Sequence, residues 1–217
     1  MRIRILIADD HVVVRQGIKT ILNSLGEQHH VVAEAEDGRE VLQLMDIHDV
    51  DVTILDISMP KLNGLETTRR LLKQRPQVKV VILSMFDDRI SVEKALAYGA
   101  SGYLVKDSAI EEVGQAIDAV YRGETYLSPS VAKYRQTFYH GMKNDYGRTE
   151  TVINLTDKER EVLQLLAEGF TSKEIAVELN ITFNTVNVHR KHIMKKLNIH
   201  KSADLVRYAI KEGIIRS

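Results

Sequence analysis

Short β-branched runs alternate with longer amphipathic stretches in the first half of the chain. Five of these runs are almost continuously apolar, as expected for strands buried on both faces of a parallel sheet. They span residues 3–8, 31–35, 52–55, 78–83 and 102–104. Asp37 with Glu40, and Ser108 with Glu111, have the spacing of capping boxes at helix starts. The pattern predicts a five-stranded, doubly wound parallel α/β domain of the flavodoxin-like kind.

The second half of the chain has a purely helical pattern after a weakly periodic stretch. Four helices are predicted, at 156–168, 171–179, 182–197 and 202–212. The second and third of them, joined by a short turn, stand in helix-turn-helix order. We therefore predict an α/β domain at 1–121, a linker at 122–154 and an all-α, four-helix domain at 155–217.

The charges of the two halves are opposite, although the formal net charge of the chain is zero. Residues 1–121 contain 14 Lys and Arg against 19 Asp and Glu, whereas residues 122–217 contain 16 against 11. No acidic residue lies between Glu178 and Asp204, a segment rich in lysine and histidine. Such a basic segment is typical of a nucleic-acid-binding surface.

Cysteine is absent, which excludes disulfides, thiolate zinc sites and a cysteine nucleophile. No apolar run approaches the roughly 20 residues that span a bilayer, and the N-terminal run is short and followed by two aspartates. We expect a cytoplasmic protein without a membrane partner.

Candidate site residues follow four of the five predicted strands, and in a parallel sheet such residues meet at one edge. They are Asp9 and Asp10 after the first strand, Asp56 after the third, Ser84 after the fourth and Lys106 after the fifth. Three carboxylates need a cation, and oxygen ligands favour Mg²⁺ or Mn²⁺ over zinc. An aspartate beside such an ion and a lysine can attack a phosphoryl group, which predicts an acyl phosphate on one aspartate.

Each of these residues also has a simpler explanation. An aspartate after a strand often caps the next helix, and Lys106 could be a solvated loop charge. The functional interpretation depends on four strand ends supplying the whole combination together.

The predicted helix at 182–197 has two different faces. Val186, Ile193 and Leu197 recur at helical spacing and are expected to pack against the other helices. The opposite face is polar and basic, and it suits the major groove of DNA. On it, Asn184, Asn187 and Lys191 are candidates for base edges, Val188 for a thymine methyl, and Thr185, Lys195 and also Lys173 for phosphates. On charge alone, a solvated basic helix would look the same.

The motifs Asp9-Asp10, Asp56 to Pro60 with Gly64, Ser84, and Tyr103 to Lys106 resemble the signature of response-regulator receiver domains. The resemblance implies that Asp56 accepts a phosphoryl group from a sensor histidine kinase. It also implies that Asp10, Asp56 and the Ser58 main-chain carbonyl hold Mg²⁺, with Asp9 acting through water. Lys106 would grip the phosphoryl oxygens, Ser84 would move to hydrogen-bond them, and Tyr103 would follow by swinging inward. For Tyr103, an ordinary half-buried aromatic is the alternative. Asp107 follows Lys106 where the family usually has proline.

The segments 155–163, 172–176 and 185–193 closely resemble the LuxR-type helix-turn-helix, so the whole chain resembles NarL/FixJ-family response regulators. This implies base contacts from Asn187, Val188 and Lys191, binding of a homodimer to paired half-sites in promoter DNA, and contact with RNA polymerase. Asn187 stands where the family often has lysine, and it suits adenine better than guanine.

The leading hypothesis is therefore a DNA-binding transcription regulator controlled by phosphorylation of Asp56, and not an enzyme. One alternative is a phosphorylation-independent regulator that uses the receiver only as a dimerisation scaffold. Another is a Mg²⁺-dependent phosphohydrolase, but such enzymes of the haloacid-dehalogenase type have a second aspartate where this chain has Ser58.

Overall fold

In a computed structural model of the chain, residues 2–135 and 155–215 are described, and the chain divides into two compact units. The first unit is a parallel sheet flanked by helices. Its strands are β1 (Ile3–Ala8), β2 (His29–Ala35), β3 (Val52–Asp56), β4 (Lys79–Ser84), β5 (Gly102–Val105) and β6 (Tyr126–Leu127). Its helices are α1 (Val12–Ser24), α2 (Gly38–Ile47), α3 (Gly64–Gln74), α4 (Arg89–Ala97) and α5 (Ala109–Tyr121).

The strand order is β2-β1-β3-β4-β5-β6, and every pair is parallel. The doubly wound α/β fold is thus confirmed, with one strand more than the five predicted. The additional strand, β6, has two residues at the sheet edge beside β5. It is too short for a periodic signal, and it lies inside the predicted linker at 122–154. The predicted domain bounds remain predictions.

Successive side chains of a strand point to opposite sides of the sheet, and helices cover both sides, so the sheet is buried on both faces. Leu6 belongs to one apolar cluster, with residues of α2, α3 and α4. Its neighbours Ile5 and Ile7 belong to the other, with residues of α1 and α5. Both faces exclude water, so the polar groups of this unit collect at the strand ends and on the outer helix surfaces.

Helix starts follow the predicted capping chemistry with one exception. The Asp37 carboxylate accepts hydrogen bonds from the amides of Arg39 and Glu40 at 2.9 and 3.0 Å. The predicted Ser108 cap is wrong, because Ser108 closes a short 3₁₀ turn, Lys106–Ser108. Its backbone is helical rather than extended, and its hydroxyl donates to the Val105 carbonyl at 3.3 Å.

The second unit is all-helical in its described part. Its helices are α6 (Asp157–Ala167), α7 (Ser172–Glu178), α8 (Phe183–Leu197) and α9 (Ser202–Lys211). Capping boxes of Thr156 with Glu159 and of Thr171 with Glu174 begin α6 and α7. Val186, Ile193 and Leu197 pack into a separate apolar core, as predicted.

Across the described ranges, no helix combines the length and the apolar character that crossing a bilayer requires.

Candidate functional site

The register of the sheet brings the predicted acidic residues together. Ala8 pairs with Leu55, so Asp9 and Asp56 follow neighbouring positions of β1 and β3. Ser84 pairs with Val105, so Lys106 emerges beside Ser84. The Lys106 Nζ lies 2.6 Å from Asp9 Oδ2 and 3.2 Å from Asp56 Oδ1. One ammonium therefore bridges two carboxylates at the carboxyl edge of the sheet.

This charge cluster is largely withdrawn from water. The Asp9 and Asp56 side chains are 0% and 3% exposed, and that of Lys106 is 12% exposed. Burial raises the pKa of Asp56, the nearby Lys106 opposes this, and the Asp9 charge adds to it. Burial disfavours charged Lys106, but its two carboxylate partners outweigh burial and raise the pKa of the ammonium. The charges of Asp56 and Lys106 therefore depend on each other. A change of charge on Asp56 alters how strongly the Lys106 ammonium is attracted to it.

Asp10 lies at the same edge but is exposed. Asp9, Asp10 and His11 each present one atom within 4.8 Å of the others. His11 Nδ1 lies 2.9 Å from Asp10 Oδ1 and 3.1 Å from Asp9 Oδ1, and the His11 amide donates to Asp9 Oδ1 at 2.8 Å. His11 was not predicted as a site residue, although its place directly after two candidate ligands was a signal.

The donor chemistry of this edge fits a hard divalent cation. Buried Asp9 and Asp56 and exposed Asp10 supply carboxylate oxygens, and Lys106 contacts two of these three residues. The Ser58 main-chain N–H lowers the pKa of Asp56, against the effect of burial, so the start of the loop after β3 lies beside this carboxylate. The predicted role of the Ser58 carbonyl as a metal ligand remains a prediction.

A glycine fixes the return of that loop. The Gly64 amide donates to the Ile57 carbonyl at 3.1 Å. A Cβ at Gly64 would stand 2.1 Å from the Asp56 carbonyl oxygen, which is backbone and cannot swing away. Only glycine allows α3 to begin so close to the candidate phosphoacceptor.

Ser84 and Tyr103 share a neighbour. Ser84 is buried, and its Oγ accepts a hydrogen bond from the Phe86 amide at 3.0 Å. Tyr103 is fully buried rather than half-buried, and its hydroxyl donates to the Phe86 carbonyl at 2.8 Å. The loop at Phe86 thus joins the two residues for which a coupled movement is predicted.

Arg15 is a further residue that the sequence analysis missed. Its side chain is 8% exposed, and it donates to the Asp9 carbonyl oxygen at 2.6 Å and to Glu36 Oε1 at 3.0 Å. An arginine in an amphipathic helix normally indicates a solvated face, so the pattern of α1 gave no signal of this contact.

The candidate nucleic-acid interface lies on α7 and α8. Asn184, Val188, Lys191 and Lys195 on α8 and Lys173 on α7 are exposed, whereas Thr185 and Asn187 are half-buried. The Thr185 amide donates to Thr182 Oγ1 at 3.1 Å, and the two hydroxyl oxygens are 2.8 Å apart. Thr185 therefore helps to begin the helix, and the outward face is the polar and basic one that was predicted.

Two basic residues of α8 have structural partners. Lys196 Nζ donates to Glu159 Oε2 of α6 at 2.6 Å, and Arg190 donates to the Ser202 hydroxyl of α9 at 2.5 Å. These contacts hold α8 against α6 and α9. Some basic residues of α8 therefore pack against other helices, and others face outward.

Comparisons with known proteins match both units. The family model for the response regulator receiver domain matches residues 5–118, and that for bacterial regulatory proteins of the luxR family matches residues 153–209. The chain is 38% identical to the oxygen regulatory protein NreC of Staphylococcus carnosus, over 98% of this chain and 99% of that protein.

Solved structures of similar proteins cover nearly the whole chain. RcsB from Salmonella enterica serovar Typhimurium, bound to promoter P1flhDC in the presence of phosphomimetic BeF3⁻, is 28% identical, with a TM-score of 0.59 over 96% of this chain and 98% of that one. A structure of two RcsB dimers bound to two parallel DNAs is 27% identical, with a TM-score of 0.59 over 98% of this chain and 99% of that one.

Proposed function

Because the chain belongs to the NarL/FixJ family of two-component response regulators, we propose that phosphoryl transfer to Asp56 is the event that controls its binding to DNA. The observation that carries this proposal is the Lys106 ammonium, which contacts buried Asp9 and Asp56 at the ends of neighbouring strands. The ammonium stabilises negative charge on the aspartates that it contacts. Burying three charged groups costs desolvation free energy, so such a cluster indicates a functional site.

In the proposed reaction, an Asp56 carboxylate oxygen attacks phosphorus, and the bond to the donor breaks as the Oδ–P bond forms. Lys106 is close enough to stabilise the transferred oxygens by moving from one acidic partner to the other. Asp10, Asp56 and the Ser58 carbonyl would hold Mg²⁺, with Asp9 acting through water. The bound ion would supply charge neutralisation for the phosphoryl oxygens. Ser84 then hydrogen-bonds the phosphoryl group, and Tyr103 responds through the loop at Phe86.

The phosphoryl donor that we propose is a histidine of a sensor kinase. The first residues of α1, directly after the acidic pair, expose apolar side chains: Val12 is 55% and Val13 79% exposed, and Ile110 at the start of α5 is 69% exposed. An apolar rim of this kind suits docking of a partner protein. A regulator that receives phosphoryl groups from such a kinase and acts on promoters works in the cytoplasm.

The outward face of α8 is the proposed DNA-reading surface. Asn187, Val188 and Lys191 would contact bases, with Asn184 beside them, and Thr185, Lys195 and Lys173 would contact phosphates. RcsB dimers bound to DNA support binding as a homodimer. We propose that the homodimer binds paired half-sites and that phosphorylation promotes its formation. Contact with RNA polymerase at the promoter completes the proposed set of partners.

The proposal is tested with wild type and Asp56→Asn, each incubated with acetyl phosphate and Mg²⁺. Intact-mass spectrometry should show one phosphoryl adduct on the wild type and none on the variant, and a sizing column should shift only the wild type towards dimer. DNA selected from a random pool should then be bound more tightly by the treated wild type alone. Equal tightening in Asp56→Asn would contradict the mechanism. No adduct on folded wild type would favour a regulator whose receiver is only a dimerisation scaffold.

A further inference from the structure

A fully buried serine holds the strand end that precedes Lys106. Ser128, just after β6, is 0% exposed. Its Oγ accepts a hydrogen bond from the Val105 amide at 3.1 Å, and its hydroxyl donates to Glu112 Oε2 at 2.6 Å. Since an amide only donates and a carboxylate only accepts, the two partners fix the orientation of the hydroxyl.

The hydrogen bond to Glu112 makes this contact strong. Bonds to ionised acceptors are shorter and stronger than those between neutral groups, and Glu112 also accepts from the Tyr126 hydroxyl at 3.3 Å. One carboxylate on the first turn of α5 therefore fastens two residues of the segment that follows the helix.

The same segment is bonded to the strand that contains Tyr103. The Ser128 amide donates to the Tyr103 carbonyl at 2.9 Å, and Leu127 pairs with Tyr103 in the sheet. Val131, three residues after Ser128, is fully buried in the apolar cluster that includes Tyr103. Residues 126–131 thus contact the backbone of both β5 residues that flank Leu104.

This contact is one residue away from the candidate site. Val105 immediately precedes Lys106, and Val105 pairs with Ser84 across the sheet. Without Ser128, the buried Val105 amide would lose its acceptor, because β6 ends at Leu127. An unpaired buried amide is unfavourable, so its strand end would shift to find another partner.

We propose that Ser128, oriented by Glu112, is a positioning residue for Lys106, and that it connects the phosphorylation site to the segment leading into the DNA-binding half. The second part rests on the proposed function. When Lys106 turns to a phosphoryl group on Asp56, the Val105–Lys106 step moves, and the hydrogen bond to Ser128 passes this movement to residues 126–131.

The first test needs no phosphoryl group. Amide hydrogen exchange at Val105 is measured in the full-length wild type, in Ser128→Ala and in Ser130→Ala. Ser130 is exposed and lies in the same segment, so it is the matched control. Exchange at Val105 should accelerate by about tenfold or more in Ser128→Ala alone. Unchanged exchange there would overturn the positioning role.

The second test follows phosphorylation by acetyl phosphate and Mg²⁺. Ser128→Ala should form the Asp56 adduct several-fold more slowly than wild type and Ser130→Ala, and the fully phosphorylated variant should gain less DNA affinity than wild type. Its DNA affinity before phosphorylation should be unchanged, a result that a general folding defect would not produce. An adduct rate and an affinity gain equal to those of wild type would overturn the connection.

Glu112→Ala provides a second variant if Ser128→Ala is poorly folded. It removes the acceptor at the surface end of the chain of hydrogen bonds, and Glu111→Ala is its control, because Glu111 is an exposed carboxylate on the same turn. Glu112→Ala should weaken the affinity gain in the same direction, and an effect equal to that of Glu111→Ala would count against the proposal. Failure of the proposed function has a separate signature: the wild type itself would gain no DNA affinity, while exchange at Val105 would still decide the role of Ser128.

Discussion

The acid site depends on the ionisation of single residues that are close enough to control one another. In the proposed reaction Asp56 must be ionised to attack phosphorus, yet burial raises its pKa, and Asp9 adds to this effect. Lys106 opposes both, and in the same proposal it also binds the product. We therefore infer that Lys106 has two effects: its charge keeps buried Asp56 ionised, and it reduces the repulsion between Asp56 and the negatively charged phosphoryl donor.

At Gly64 a single methyl group should disturb the phosphoacceptor. In Gly64→Ala the new Cβ would stand 2.1 Å from the Asp56 carbonyl oxygen, so the backbone of Asp56 has to move. We expect a loss of roughly 1–3 kcal/mol in the free energy of unfolding, as for other overpacked positions, and slower formation of the acetyl phosphate adduct. Urea denaturation and an intact-mass time course measure the two effects.

The control for this substitution is Gly17→Ala. Gly17 is exposed and lies in the middle of α1, and a Cβ there would meet nothing within 4 Å. Alanine is favoured over glycine within a helix, so this variant should be stabilised by about 0.5–1 kcal/mol and should keep its adduct rate. A Gly64→Ala protein that behaved like Gly17→Ala would show that the loop after Asp56 tolerates side chains.

Among the elements, α8 has to be held firmly if its outward face is to meet DNA in a fixed register. The Lys196 ammonium joins it to Glu159, which also completes the capping box of α6. Burial disfavours ionised Glu159, but hydrogen bonds from Lys196 and Thr156 outweigh it and lower the pKa of the carboxyl. Because the pKa of Glu159 is lowered in the folded state, the contact stabilises the unit at pH values above 4.5, the usual pKa of a glutamate side chain. This contribution is lost as the pH falls through the lower, folded-state pKa.

Lys196→Met tests this contact. At pH 7 we expect a free energy of unfolding lower by about 0.5–1 kcal/mol, a modest value because a partly exposed lysine is screened by water. The difference from wild type should shrink towards zero in acid, once Glu159 is protonated in both proteins. Denaturant titrations at a series of pH values from 7 downwards measure it, with Lys195→Met on the exposed face of the same helix as control. A difference that does not shrink as the pH falls would assign the effect to packing.

How far the elements could be predicted depended on the length of their sequence signal. Five strands appeared as apolar runs and four helices as apolar repeats, and they were predicted within a few residues. The strand β6 has two residues and no repeat, and the 3₁₀ turn at Ser108 shares the residue types of a helix cap.

The acid site was predictable because strand ends converge by topology. The side chains of Arg15 and Ser128 bind backbone groups, the Asp9 carbonyl and the Val105 amide, and no residue pattern reveals such partners.

The whole molecule combines an acidic half with a basic one. Residues 1–121 have a net charge of −5, and residues 122–217 a net charge of +5. DNA attracts the second half and repels the first, since both the receiver half and the phosphate backbone are negative. Non-specific DNA binding by the full chain should therefore be weaker than the basic segment alone would give.

We predict that a fragment of residues 155–217, which has its own apolar core, binds random-sequence DNA more tightly than the unphosphorylated full chain at low salt. The two affinities should converge as salt rises, because repulsion between exposed charges is screened beyond a Debye length of about 10 Å at 0.1 M. Fluorescence anisotropy over a salt series measures both affinities.

A difference in affinity that stayed constant with salt would mean that the receiver half hinders binding sterically. Phosphorylation would then act by removing an obstruction. A gap that closes with salt would mean that phosphorylation has to overcome a charge repulsion, which pairing of two DNA-binding units on one site can do by doubling the basic surface.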